Sequence, residues 1–233
     1  AFGELKTILS VEDVKSEFGV SLKFYVDAVP YTMFGIGRSQ EQYYAMANDM
    51  LPAPWYKCHG GHSHIPAIPP AKYLKSHLEY FAIVRGKRNG YPGIPQYCLS
   101  NPEVQKLIYQ EVLNTLADPR YKESQLAQTD GFRVCECLPC KSFFKPGAGE
   151  ALWKLHLDMA DRLLKDRPGK RVCIIAYGPT KIPPKSFKEF PANVTVELAH
   201  FSEEIVKSWK NHKVPGGFVV YLYNWGFYKL EGF

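Results

Sequence analysis

The stretch Tyr121–Cys140, YKESQLAQTDGFRVCECLPC, concentrates the residue types that could do chemistry. A run that reads as a strand breaks at Thr129-Asp130-Gly131. Three cysteines follow within six residues, Cys135-Glu136-Cys137-Leu138-Pro139-Cys140. An acid at a strand end, followed by a cross-linkable or metal-binding loop, is the pattern of a βα loop in a barrel enzyme. A CxCxxC loop wraps zinc if a fourth ligand comes from elsewhere; Cys98 at a strand end is the natural supplier, and Cys58 the next. The same loop can hold disulfides in an oxidising compartment. In either case the cysteines are a structural clamp. Cys137 and Cys140 also have CxxC spacing, but no helix start is expected there to activate a thiol. Cys173, inside the apolar run Val172-Cys173-Ile174-Ile175, reads as a small buried hydrophobe.

Carboxylates at or near strand ends are Asp27, Asp130, Glu136 and Glu197. Glycoside hydrolysis needs two carboxyls flanking the scissile bond, and in a barrel they can come from different strands. Asp130 and Glu197 are the candidate pair; alternation within Val194-Thr195-Val196-Glu197-Leu198 places Glu197 on the face of Thr195. Cys58-His59-Gly60-Gly61-His62-Ser63-His64 is a second candidate site. Its histidines contact substrate, converge on a metal ion, or belong to a plain structural loop; His-Gly-Gly-His lacks the helical HExxH geometry. Tyr177, Tyr223, Asn224 and Trp225 collect at the ends of late strands, where rings supply apolar contact and amides read hydroxyls. No dinucleotide, phosphate-loop or nucleophile-elbow motif is present.

The elements that must position these residues follow from periodicity. Helices are expected at 11–18 and 39–50, and a strand at 21–29 ends at Pro30. Residues 55–70 read as a loop, 72–80 as a short helix or turn, and 96–99 as a short strand. Ser100-Asn101-Pro102-Glu103 reads as a capping box that opens a helix with Val104, Leu107, Ile108, Val112 and Leu116 inward. A helix over 151–164 buries Leu152, Leu155, Met159, Ala160 and Leu163. Strands follow at 171–177, 193–198 and 217–223, and Ser202 caps a helix through Trp209. Strands alternating with helices argue for a parallel α/β sheet. The proline- and lysine-rich stretch between Tyr177 and Asn193 is long for a routine connection.

Bulk properties exclude several classes. A hydrophobic fraction of 45% rules out disorder, and no apolar run is long enough to span a bilayer. The net charge of +6 is scattered, with Arg85-Gly86-Lys87-Arg88 its densest patch, so nucleic acid is not the expected partner.

Three pieces together resemble a known family: His77-Leu78-Glu79-Tyr80-Phe81-Ala82 running to Gly86-Lys87-Arg88, Tyr97-Cys98-Leu99-Ser100-Asn101-Pro102-Glu103-Val104, and Thr129-Asp130-Gly131 with the cysteine loop. The combination, over roughly residues 55–225, resembles an uncharacterised domain family of secreted bacterial proteins related to TIM-barrel glycoside hydrolases. Its arrangement is similar to that of α-glucuronidases and β-N-acetylhexosaminidases. Gly61-His62 and Ile175-Ala176-Tyr177, with Pro183-Pro184, fit the same pattern. Two departures stand out: Thr129-Asp130 replaces Asn-Asp, and Tyr223-Asn224-Trp225 stands where an acidic Trp-Asp-Tyr is expected.

The resemblance implies a (β/α)8 TIM barrel acting on a polysaccharide or oligosaccharide outside the cytoplasm, extracellular or periplasmic. The expected fold is α/β, residues 1–233 forming one barrel-type domain. Six or seven candidate strands are countable where a closed barrel needs eight, so either one has been missed or the chain is a piece of a longer protein with further domains. The expected function is a glycoside hydrolase or hydrolase-like protein, with Asp130 the catalytic acid, Glu197 the second catalytic carboxylate, and His59, His62, Tyr177, Asn224 and Trp225 contacting substrate. Cys98, Cys135, Cys137 and Cys140 hold structural zinc or form disulfides, and no catalytic cofactor is expected. The alternatives are a non-catalytic glycan-binding barrel, and a metal-dependent hydrolase using His59, His62 and His64.

Overall fold

The computed structural model describes residues 22–26, 61–88, 93–119, 121–200 and 202–222. In chain order, the first half contributes β1 (Leu22–Val26), α1 (His64–Ala67), α2 (Pro70–Tyr73), β2 (Ile83–Val84), β3 (Lys87–Arg88) and α3 (Pro102–Ala117). The second half contributes β4 (Glu123–Leu126), α4 (Leu138–Phe143), α5 (Ala148–Asp166), β5 (Arg171–Ala176), β6 (Val194–Leu198), α6 (Glu203–Trp209) and β7 (Phe218–Leu222). The expected helices over 11–18 and 39–50 lie outside the described residues, as do Asp27, Cys58, His59, Tyr223, Asn224 and Trp225.

The fold is mixed α/β around a five-stranded sheet in the order β1-β7-β6-β5-β4, with every pairing parallel. The expected strands near 123–127, 171–177, 193–198 and 217–223 are therefore parallel neighbours. β2 and β3 pair antiparallel, as a separate hairpin turned through Arg85 and Gly86, both at positive φ. The expected strand at 96–99 is reduced to a single bridge between Phe81 and Tyr97. The expected loop over 55–70 contains helical turns, since α1 and α2 begin within it.

Period-two alternation gives the sheet two different faces. Leu126, Val172, Ile174, Ala176, Val194, Val196 and Leu198 point into the main apolar core, shared with Leu152, Leu155, Met159 and Leu163 of α5 and Ile205 and Trp209 of α6. The opposite face is polar through its middle. Arg171 pairs with Glu123 (3.3 Å) and donates to the Gly216 carbonyl, while the Thr195 hydroxyl donates to Glu123 (2.7 Å). One layer further along, Gln125 donates to Glu197 (3.2 Å), and the Cys173 thiol lies 3.8 Å from the same carboxylate oxygen. Cys173 is buried as expected, but against a carboxylate rather than among hydrocarbon. Ala127, Ile175 and Ala199 form a small apolar cap above that layer.

No long helix separates β5 from β6. The connecting segment instead lies over α5 and the end of α6. The Trp153 indole donates to the Ile182 carbonyl, and Glu150 accepts from the Lys185 amide and the Ser186 hydroxyl. Phe190 packs on Trp153 and Trp209. Two large rings and a carboxylate cap do the covering work of a helix.

At the start of α3, Asn101 is the N-cap, accepting from the Glu103 amide at 2.9 Å. Ser100, expected to share the capping, has its hydroxyl 2.9 Å from the Cys140 sulfur instead. Ser202 caps α6 as expected.

His64 on α1 and His156 on α5 meet inside the core, Nε2 to Nε2 at 3.2 Å. His156 Nδ1 is buried without a partner among the described residues. A buried N–H left unmade costs more than an idle lone pair, so the proton belongs on His156 Nε2, donated to His64. Burial lowers both pKa values, that of His156 to about 3, and at His64 the neighbouring His156 and then His62 lower it further. A folded pKa below the unfolded one, near 6.5, stabilises the fold fully above that value. This stabilisation is lost as pH falls through the window from about 6.5 towards about 3, by at most about 1.4 kcal/mol per pH unit for each histidine. Thermal denaturation between pH 8 and 4 should show this decline, and His156→Leu should make it shallower.

Candidate functional site

Asp130 lies four residues beyond the end of β4, and its carboxylate is held at short range. The Tyr177 hydroxyl donates to Oδ1 at 2.6 Å and the Gly131 amide donates to the same oxygen at 2.7 Å. Gly131 has φ 55°, a left-handed turn that brings its amide back onto the preceding side chain. The Tyr177 hydrogen bond, then the Gly131 amide and nearby His62, hold the Asp130 carboxyl below the usual carboxylate range despite partial burial. Asp130 is ionised at neutral pH, which suits a base, nucleophile or cation-stabilising carboxylate better than a proton donor.

Three further side chains join it at the C-terminal end of the sheet. Tyr177 follows β5 directly, and its ring stacks on His200 beyond β6, with centroids 5.5 Å apart and planes 18° from parallel. Burial, and then the charge of Lys181, lower the His200 pKa, so the ring is neutral at pH 7. The His62 ring lies 6.0 Å from that of Tyr177, and its Nδ1 donates to the Gln128 carbonyl at 2.7 Å. That bond leaves Nε2 as the ring nitrogen turned away from the Gln128 carbonyl. Gln128, fully buried, donates to the Tyr177 carbonyl (2.7 Å) and the Thr180 hydroxyl (2.9 Å), tying the ends of β4 and β5 together. Ser63 fixes the His62 segment to β4 by accepting from the Ala127 amide.

Of the expected site residues, the structure thus brings together Asp130, Tyr177 and His62. Glu197 is on the polar face as expected, but it is 1% exposed, level with Ile175 and bonded to Gln125 below the Asp130 cluster. His64 is turned into the core against His156, so it does not join His62 around one point. Among the described residues the cysteine group is the one convergent set of metal ligands. His59, Asn224 and Trp225 lie outside the described residues. His200 was missed, although its place directly after β6 matches the rule that singles out Asp130 after β4. Glu136, a fourth acid near a strand end, faces the hairpin: its carboxylate accepts the Arg85 and Gly86 amides at 2.6 and 2.8 Å.

The four sulfurs of Cys98, Cys135, Cys137 and Cys140 lie within 4.8 Å of one another. Cys98 is 3.7 Å from both Cys137 and Cys140. A disulfide requires about 2.05 Å, and all four cysteines are free. Sulfurs at about 2.3 Å from a tetrahedral zinc stand roughly 3.8 Å apart, the spacing seen here. The cluster fits a structural zinc site, closed by four protein ligands.

The protonation of the cluster supports the same fit. Hydrogen bonds from Cys140 and Cys98 push the Cys135 pKa down, while their bonds to Cys135 push Cys140 up and Cys98 up to about 11. Among these three thiols the negative charge falls first on Cys135, and a bound cation would favour ionisation of Cys98 and Cys140. Contrary to expectation, a helix does begin at this motif: Cys137 is the N-cap of α4.

Residues 22–227 match the family described as "Domain of unknown function (DUF4838)". The chain belongs to that family. No curated protein and no solved structure matches it. Among the described residues no helix is long and apolar enough to cross a membrane.

Cysteine loss should read out directly on metal. Purified protein should carry about one zinc per chain, and Cys98→Ser should weaken zinc binding by at least tenfold in chelator competition, with a lower melting temperature. Equal zinc affinity in the two proteins would contradict the four-sulfur centre.

Proposed function

We propose that the protein is a glycoside-hydrolase-like enzyme that works on a polysaccharide or oligosaccharide at the end of the sheet where Asp130, Tyr177, His62 and His200 meet. The observation that carries this reading is the 2.6 Å hydrogen bond from Tyr177 to an ionised Asp130 beyond the C-terminal ends of two adjacent parallel strands, with the rings of His62 and His200 against Tyr177. A carboxylate beside aromatic faces suits a sugar: the rings cover its apolar C–H faces, and the carboxylate stabilises positive charge developing at the anomeric carbon. Asp130 then acts as the charged carboxylate of the site, with the His62 and His200 rings beside Tyr177 lining it.

The same reading makes the sheet part of a (β/α)8 barrel. β1 is hydrogen-bonded to β7, so the first and last described strands are neighbours, as barrel closure requires. One face carries helices and the other carries Glu123, Gln125, Arg171, Thr195 and Glu197, whereas an open doubly wound sheet would cover both faces with helices. Action outside the cytoplasm belongs to this reading too.

A second reading, a glycan-binding barrel without turnover, is favoured by one observation. Glu197 is buried and committed to Gln125, so it is poorly placed as the partner carboxyl of Asp130.

A screen of purified protein against uronic-acid and N-acetylhexosamine glycans tests both readings. Asp130→Asn should lower kcat about 10²–10⁴-fold. Tyr177→Phe should return the Asp130 carboxyl towards its ordinary pKa and move the acid limb of the pH–rate profile upward. Turnover undiminished in Asp130→Asn would remove Asp130 from catalysis, and binding without turnover in the parent would select the second reading.

A further inference from the structure

Gln96 is 1% exposed, and its amide makes three hydrogen bonds, all to the turn that carries Asp130. Nε2 donates to the Asp130 carbonyl (3.0 Å), and Oε1 accepts from the Thr129 hydroxyl (3.0 Å) and the Arg133 amide (2.8 Å). Two residues later the same segment delivers Cys98 to the sulfur cluster, and two residues beyond Arg133 the Asp130 turn delivers Cys135. The segments 96–98 and 129–135 are thus joined twice, by the side chain of Gln96 and by sulfur.

A third segment lies between them. The Ala82 amide donates to the Gln96 carbonyl and the Cys98 amide to the Tyr80 carbonyl, while Ile83 donates to the Cys135 sulfur and accepts from the Glu136 amide. Strand-like residues 80–83 therefore hold both segments at fixed separation. Among the described residues Gln96 is the side chain that joins the Cys98 segment to the Asp130 turn, so a shift of Cys98 or Cys135 is transmitted through its three bonds.

We infer that Gln96 is a positioning residue through which the four-cysteine metal centre sets the conformation of the Asp130 turn, so that metal occupancy regulates the proposed site. Regulation of that site rests on the reading of Asp130 as its working carboxylate. The coupling itself is read without any glycan, so failure of the hydrolase reading and failure of this inference are separate results. With zinc bound, Cys98 and Cys135 are pinned, Gln96 keeps its three bonds, and Asp130 stays against Tyr177. Without zinc, the sulfurs separate, the Gln96 bonds loosen, and the turn opens.

Amide hydrogen exchange on the full chain, with Zn²⁺ as the probe, tests this at two amides. The Arg133 amide reports the bond to Gln96, and the Gly131 amide reports the bond to the Asp130 carboxylate. In the parent protein, stripping zinc should accelerate exchange at both about tenfold, with α5 unchanged. Gln96→Leu should accelerate both to a similar extent while still binding one zinc per chain, and stripping that zinc should add little. Thr129→Val, which removes only one of the three bonds and spares the core, should give a smaller acceleration at Arg133 and serves if Gln96→Leu does not fold.

Slow exchange at both amides in zinc-loaded Gln96→Leu would overturn the inference. So would unchanged exchange at Arg133 in Thr129→Val. Zinc removal that leaves both amides unchanged in the parent, or accelerates α5 equally, would show that the centre is not coupled specifically to this turn.

Discussion

Four cysteine sulfurs, from two separate segments of the chain, converge within 4.8 Å of one another, the arrangement of a thiolate metal centre rather than of scattered buried thiols. The local structure spends much of its hydrogen bonding on holding them there. Ser100 gives up its capping position to face Cys140, the Ile83 amide points at Cys135, and Glu136 clamps the β2–β3 turn beside them. Convergence of this kind is the constraint on which the rest depends. It fixes the long excursion after β4, whose Phe132, Phe143 and Phe144 pack on the core while Leu138 stays 80% exposed. A metal held by the four sulfurs would add to that burial by tying the Cys98 and Cys135–Cys140 segments together.

With that excursion fixed, the Asp130 turn becomes rigid on both sides. Gln96 holds its backbone from beneath, and Tyr177 and Gly131 hold its carboxylate. Gln128 and Thr180 tie β4 to β5 at the same level, so the aspartate and the tyrosine are positioned by strand ends rather than by free loops. The polar layer below, with Glu197 and Gln125, belongs to the sheet interior. Its burial explains why two carboxylates that look equivalent along the sequence stand in different environments here: one is partly exposed and bonded to a phenol, the other enclosed and bonded to an amide.

Much of this was legible in the sequence because it rests on local pattern. The parallel strands, α3, α5 and the Ser202 cap follow from periodicity and capping chemistry, and the cysteine cluster follows from spacing plus one strand-end cysteine. What escaped depends on long-range contact. Ser100 has the right type and place for a cap, yet a sulfur 40 residues away competes for it. Cys173 sits in an apolar run, and only the register of β5 against β6 puts it beside Glu197. His64 belongs to a histidine-rich loop that suggests a metal site, but His156, 92 residues later, draws it into the core. Membership of the family follows from the whole match over 22–227 and leaves activity to be argued from the site.

X-ray absorption at the zinc edge on the purified, full-length chain tests the central claim most directly. The account predicts a first shell of four sulfurs at about 2.3 Å and no light-atom ligand. A shell containing nitrogen or oxygen, or a zinc-free protein whose cysteines are joined at about 2.05 Å, would contradict it.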